Sequence, residues 1–228
     1  MSVRHDSFFW QSHLSLFKQM LIICCFCEDM RVTVCSRDVG ISEDNAVDYY
    51  DNLRGCYADA LEADPIHFTS LGPYEIDEFL IKHVDDGHGG RLNLWVMDIL
   101  ERNSGLYWAE VVSNRSAEVM ISIITRMIPL GSLIFTDDWG ADQPLRRSGF
   151  QHHSVNHSAG EYSRSVTIQR KDVEVSINSL EGLHRSLRQR VMNKSRRNVD
   201  RIDLILREVI YRRSGRSLWQ PFKLVENQ

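Results

Sequence analysis

The sequence predicts an α/β (α+β) protein: a mixed sheet flanked by helices, behind a small helical N-terminal region. Three observations predict it. Apolar residues recur at intervals of three and four through residues 31–62, the helical period. From Tyr74 to Val112 the pattern changes to short runs rich in Tyr, Ile, Val and Trp, broken by polar turns, which reads as antiparallel strands. An amphipathic stretch from Ser116 then leads to the apolar run Ser132–Thr136, so a crossover helix carries the chain to a parallel strand.

Taken in order, residues 1–30 mix Phe8, Phe9, Trp10 and Phe17 with leucines at helical spacing. The most apolar run, Leu21–Phe26, is far shorter than the ~20 residues a membrane span needs. Arg4, His5, Asp6 and Lys18 before it are unlike a signal peptide. An intracellular protein is expected, nuclear if the source is eukaryotic, with no membrane partner. Five cysteines, clustered early, do not form a disulfide framework. Cys24 and Cys27 have the gap of a zinc knuckle, but no second pair follows, so reduced, buried thiols are expected.

Val32–Asp38 forms a helix, Val39-Gly40-Ile41 a tight turn, and Ser42 caps a second helix carrying Ala46, Val47, Tyr50, Leu53, Tyr57 and Leu61. The pair is a plausible helix-turn-helix. Glu43, Asp44, Asp48 and Asp51 at the start of its second helix argue against close phosphate contact. The strands follow: Tyr74–Leu80, a polar loop at Asp85–Gly90, Leu92–Ile99, a turn at Arg102–Gly105, and Leu106–Val112. Ser116 opens a helix that Pro129 and Gly131 end. The organisation expected is a helical region over 1–70, a sheet domain over 71–216 and a tail over 217–228.

The acids are the chemically informative residues. On a strand Glu75, Asp77 and Phe79 share one face and Ile76, Glu78 and Leu80 the other. An acid on a half-buried face is costly, unless it binds a metal, pairs with a cation or sits at an open end. Asp77 is the candidate metal ligand, and Glu75 is expected beside it or paired with a C-terminal arginine. Asp137 ends an apolar strand, where functional acids occur, although Asp137 or Asp138 could equally cap a following helix. His152, His153 and His157 invite a metal, yet alternation sets His153 opposite the other two. Residues 159–175 are polar and carry no clear element. Asn178–Glu181 opens a long helix with Leu183, Leu187 and Val191 as its apolar stripe, and Glu181 in its first turn suits the helix dipole. A final amphipathic helix runs over Val199–Tyr211. The net charge is −4, but residues 185–216 are strongly basic, which suits either a polyanion or a solvated helix face.

In order, these pieces resemble the transposase domain of ISXO2-like bacterial insertion sequences and Merlin DNA transposons. The pieces are Tyr-Glu-Ile-Asp-Glu (74–78), Leu-Trp-Val-Met-Asp-Ile-Leu-Glu-Arg (94–102), Asn-Arg-Ser-Ala-Glu (114–118), Ile-Pro-Leu-Gly-Ser (128–132) and Thr-Asp-Asp-Trp (136–139). They continue with Gly-Phe-Gln-His (149–152), Val-Asn-His-Ser (155–158), Asn-Ser-Leu-Glu-Gly (178–182) and Tyr-Arg-Arg (211–213). The resemblance implies an RNase H-like fold and a DDE active site, with Asp77, Asp137 and Glu181 as catalytic acids and ligands of Mg²⁺ or Mn²⁺. Asn178, Arg188 (where the family often has lysine) and His157 would accompany them. Arg185, Arg190, Lys194, Arg196 and Arg197 would contact DNA, the terminal inverted repeats of an element, in a self-associating protein. Two such cations about 3.5–4 Å apart activate the attacking oxygen and stabilise the leaving one. The family's His-Thr-Asn before the third acid reads Ser176-Ile177-Asn178 here, and the tyrosine after the Trp motif is Asp142. Metal-dependent DNA cleavage and strand transfer is the expected activity; the alternative is an inactive, domesticated DNA-binding protein.

Overall fold

The structure, a computed structural model, describes residues 12–85, 91–137, 142–168, 170–194 and 199–222. Phe8, Phe9, Trp10, the loop expected after Asp85, Asp138, Trp139, Arg196 and Arg197 lie outside them. The chain divides into two compact units, residues 1–65 with 207–228, and residues 66–206.

The first unit is helical. Ser15 accepts the amide of Lys18 and starts α1 (Leu16–Cys27). Gly40, at φ 68°, ends α2 (Val32–Val39) in the left-handed conformation that glycine adopts without a Cβ clash. Ser42 Oγ accepts the Asn45 amide at 3.2 Å and opens α3 (Glu43–Ala63). The core is aromatic: the Tyr57 ring stacks 4.2 Å from Tyr211 and 5.3 Å from Phe222. A buried arginine, Arg54, donates to Glu208 at 2.7 Å and Asp51 at 2.6 Å, the pairing that a buried charge requires. Cys25, Cys27 and Cys35 are buried free thiols as expected, but Cys24 is exposed and Cys56 partly so. No helix among the described residues is long and apolar enough to cross a membrane.

The second unit is built on a five-stranded sheet. Its strands are β1 (Tyr74–Asp85), β2 (Arg91–Glu101), β3 (Tyr107–Val112), β4 (Leu133–Asp137) and β5 (Gln151–Val155), in spatial order β3-β2-β1-β4-β5. The first three are antiparallel neighbours. β4 runs parallel to β1, and β5 parallel to β4. Helix α4 (Ala117–Met127), capped by Ser116, makes the crossover between β3 and β4. The sheet is therefore mixed, as expected, with α5 (Asp142–Arg147) before β5.

The polar stretch that carried no clear element is a hairpin, β6 (Arg164–Ile168) and β7 (Lys171–Val175). Of its residues only Val175, with Phe135 and Val155, belongs to a small core, against which Val166 and Val173 pack. That is too few apolar positions to show as alternation.

Glu75 fixes where the next helix begins. It is fully buried; Arg102 Nε donates to its Oε1 at 2.6 Å, and the Leu180 amide donates to its Oε2 at 3.1 Å. Arg102 also donates to the Glu174 carbonyl at 2.7 Å and to the Ser176 carbonyl and hydroxyl at 2.7 and 2.8 Å. The partner of Glu75 is therefore Arg102 on the neighbouring turn, not a C-terminal arginine. A carboxylate on an unpaired first-turn amide suits the positive end of a helix, so β1 anchors α6 (Asn178–Lys194). The buried stripe of α6 is Leu180, His184, Leu187 and Val191; Leu183 lies only half-buried beside it. Helix α7 (Val199–Arg213) follows, and after it a short 3₁₀ turn, Gln220–Phe222.

Candidate active site

Asp77 lies on β1 directly opposite Asp98 on β2. Its side chain is 18% exposed, and its Oδ1 accepts the Glu78 amide at 2.8 Å. Burial and then the facing Asp98 carboxylate push the Asp77 carboxyl up to about 7, with His184 pulling the other way. Asp98, fully buried, is raised by burial too, opposed by hydrogen bonds from His184 and Tyr107.

His184 was not among the residues singled out in the sequence. It sits one turn past Glu181 on the buried face of α6, 4% exposed. Its Nε2 lies 2.9 and 3.1 Å from the two Asp98 oxygens, and its Nδ1 3.8 Å from Asp77 Oδ2. Its ring stacks on Phe79 at 3.9 Å. The available signal was its place in the stripe, four residues after Leu180 and three before Leu187.

The other two acids meet a second histidine. Asp137, at the end of β4, accepts the His157 amide on Oδ1 at 3.3 Å, a bond to the turn after β5. Its alternative as a helix cap with Asp138 falls partly outside the described residues. His157 Nδ1 lies 3.2 Å from Glu181 Oε1 and 3.8 Å from Asp137 Oδ2. His157 follows the end of β5, in a short 3₁₀ turn, so strand alternation does not decide where it points. His152 is buried and bonds Thr136 Oγ1 at 2.8 Å, a core hydrogen bond away from the acids.

A cavity of about 830 Å³ opens over this face of the sheet, lined in part by Asp77, Trp95, Glu181, Arg185, Arg188 and Gln189. Arg188 is set in place: its Nε donates to the Leu80 carbonyl at 3.0 Å, and its guanidinium covers the Phe79 ring at 5.1 Å. Trp95 is covered in turn by Arg115 at 4.2 Å, itself ion-paired to Glu78. Of the expected DNA-contacting residues, Arg185 lines the cavity and Arg190 is half-buried on α6. Asn178 is the first residue of α6, and Lys194 is the last.

The donor set suits a hard divalent cation, since Asp77 and Glu181 offer carboxylate oxygens to one open cavity. A carboxyl held up at about 7 by burial and a second acid is one whose ionisation a bound cation would favour. Among the described residues, however, no three His, Cys, Asp or Glu side chains close to metal-holding distance.

A family model described as the ISXO2-like transposase domain matches residues 75–213, more than half of the chain. No curated protein matches the chain. Among solved structures, it is similar to a simian T-cell lymphotropic virus intasome in complex with PP2A regulatory subunit B56 gamma. There the identity is 12% and the TM-score 0.34, over 82% of this chain and 66%, just under two thirds, of that one. It is also similar to the HTLV-2 integrase catalytic core domain in complex with magnesium, at 11% identity and a TM-score of 0.32. That match covers 68% of this chain and 100% of the other.

Proposed function

Because the chain belongs to the ISXO2-like transposase domain family, we propose that it cleaves DNA and transfers strands with a divalent metal. The observation that carries this reading is one juxtaposition. Asp77 on β1 and Glu181 on α6 line the same cavity as Arg185 and Arg188.

Asp77, Asp137 and Glu181 would hold Mg²⁺ or Mn²⁺, which when bound supplies Lewis-acid stabilisation of the charge developing at phosphorus. The chain's own residues do the rest. Arg185 and Arg188 offer guanidinium donors to a phosphate entering the cavity. Arg188 is already braced against Phe79 and the Leu80 carbonyl, so less side-chain freedom is lost on binding. The Glu78 amide holds one oxygen of Asp77 in place. Glu75 and Arg102, by fixing the first turn of α6, keep Glu181 next to the strand that bears Asp77. The terminal inverted repeats of an element are the proposed DNA, and self-association the proposed assembly state.

The test is cleavage of a duplex carrying the flanking inverted repeats by the full chain with Mg²⁺ or Mn²⁺. Asp77→Asn should lower the rate by about 1,000-fold, the loss of several kcal/mol of metal-based stabilisation. Full activity in that variant would refute the role of Asp77. One observation favours a second reading, a non-catalytic DNA-binding descendant: the His157 imidazole sits against carboxylate oxygens of both Asp137 and Glu181. Such a protein would bind DNA with a steep salt dependence and leave every phosphodiester intact.

A further inference from the structure

We propose that His184 is a positioning residue for Asp77, locked by Asp98 and set between the two facing strand carboxylates; this rests on the reading of Asp77 as an active-site acid. Two acids directly opposite on antiparallel strands repel one another, and Asp77 and Asp98 are such a pair. The imidazole of His184 occupies the space beside both.

Its orientation is over-determined. An ionised carboxylate only accepts, so Nε2 carries the hydrogen given to Asp98, at 2.9 and 3.1 Å. Tyr107 donates its hydroxyl to the same carboxylate at 3.1 Å, and Phe79 stacks on the ring at 3.9 Å. A ring fixed on three sides has one way to point its remaining nitrogen. Nδ1 faces Asp77 Oδ2 at 3.8 Å, just beyond hydrogen-bond reach. Catalytic hydrogen bonds are often long before substrate is bound. A sub-ångström approach would bring Nδ1 and Oδ2 within hydrogen-bond reach. Asp77 would then be held at both oxygens, by the Glu78 amide and by His184, with Asp98 behind the histidine.

Burial alone does not account for a histidine here. The other buried positions of the stripe are Leu180, Leu187 and Val191, which fill the same seam with no polar atom to satisfy. An imidazole with one nitrogen bonded to a carboxylate and the other aimed at a second is arranged by its polar ends.

Asparagine and glutamine separate the two ends. The amide of Asn reaches about as far as Nδ1, and that of Gln about as far as Nε2. His184→Asn therefore keeps the group facing Asp77 and gives up Asp98, whereas His184→Gln does the reverse. In the full chain, His184→Asn should keep DNA cleavage within about fivefold of wild type and His184→Gln should lose about 50-fold in kcat, as for outer partners of a site. KM for DNA should stay within about twofold in both. The carboxyl carbon resonance of Asp77 in aspartate-labelled protein, identified by its loss in Asp77→Asn, should move in the Gln variant and stay near its wild-type position in the Asn variant. Equal losses in the two variants, the reverse order, or an unmoved resonance in His184→Gln would overturn the proposal. If the wild type does not cut DNA, the proposed function fails, and the resonance alone decides the positioning role. Should either variant unfold, Asp98→Asn serves instead. Its amide would donate to Nε2, and the imidazole nitrogen shifts should report transfer of the hydrogen to Nδ1; unchanged shifts overturn the proposal.

Discussion

Two histidines each stand between two acids, and they do so in opposite surroundings. His184 is 4% exposed, against a fully buried Asp98 and a half-buried Asp77. His157 is 14% exposed, but its partners Asp137 and Glu181 are 40% and 49% exposed. The first cluster is built from the middle of two paired strands and the inner face of a helix. The second is built from a strand end, a turn and an outward helix position. The contrast separates rigid placement from access. A buried cluster can fix an acid's orientation at a cost in desolvation, while an open one leaves its oxygens available to ligands.

The largest stability effect belongs to the buried cluster. Asp98→Ala would leave Nε2 of His184 buried and unpaired and open a void beside Tyr107. A loss of about 3 kcal/mol is expected, measured by chemical denaturation; a loss no larger than that of a surface substitution would remove the distinction between the clusters.

Asp77 gives the next effect, with the opposite sign. Its folded-state pKa of about 7 lies above the unfolded value near 3.8, so the folded state holds its proton more tightly. Its contribution is most favourable below pH 4 and is lost as pH rises through 7. In metal-free buffer Asp77→Asn should therefore stabilise the protein at pH 8, by on the order of 2 kcal/mol, and hardly at all at pH 4. A gain independent of pH would show that burial does not penalise this carboxylate. Such a gain in stability on removing a functional group is expected where an acid is held in a costly environment.

The smallest effect belongs to the open cluster. His157→Ala should cost below about 1 kcal/mol, because partly exposed ion pairs contribute little. A loss comparable to that of Asp98→Ala would mean that His157 is a structural pillar and not part of an accessible site.

How much was legible in the sequence follows the same division. Strand and helix periodicity located β1 to β4 of the main sheet, the α4 crossover and the caps at Ser42 and Ser116, because each buries a regular apolar face, whereas β5 (Gln151–Val155) was read only as a histidine cluster. The acids Asp77 and Asp137 stood out as polar residues where a strand should be buried or ends, whereas Glu181, in the first turn of a helix, came only with the family resemblance. Asp98 and His184 did not. Asp98 lay within a run taken as strand, and His184 was passed over because Leu183 was assigned to the stripe in its place. Their meaning comes from a pairing across 86 positions, and no local pattern encodes such a distance. Glu75 was read as lying beside Asp77 or pairing with a C-terminal arginine, whereas the turn after β2 folds Arg102 back onto it. The β6–β7 hairpin was illegible for a simpler reason, since only Val166 of β6 and Val173 and Val175 of β7 meet the core.

The central claim is that Asp77 and Glu181 are cation ligands of one site. It is tested most directly by titrating the full chain with Mn²⁺ and following the free ion by electron paramagnetic resonance, with no DNA present. Saturable binding by the wild type, weakened at least about tenfold in both Asp77→Asn and Glu181→Gln, is the predicted result. Equal binding by all three proteins, or no saturable binding by the wild type, would contradict it.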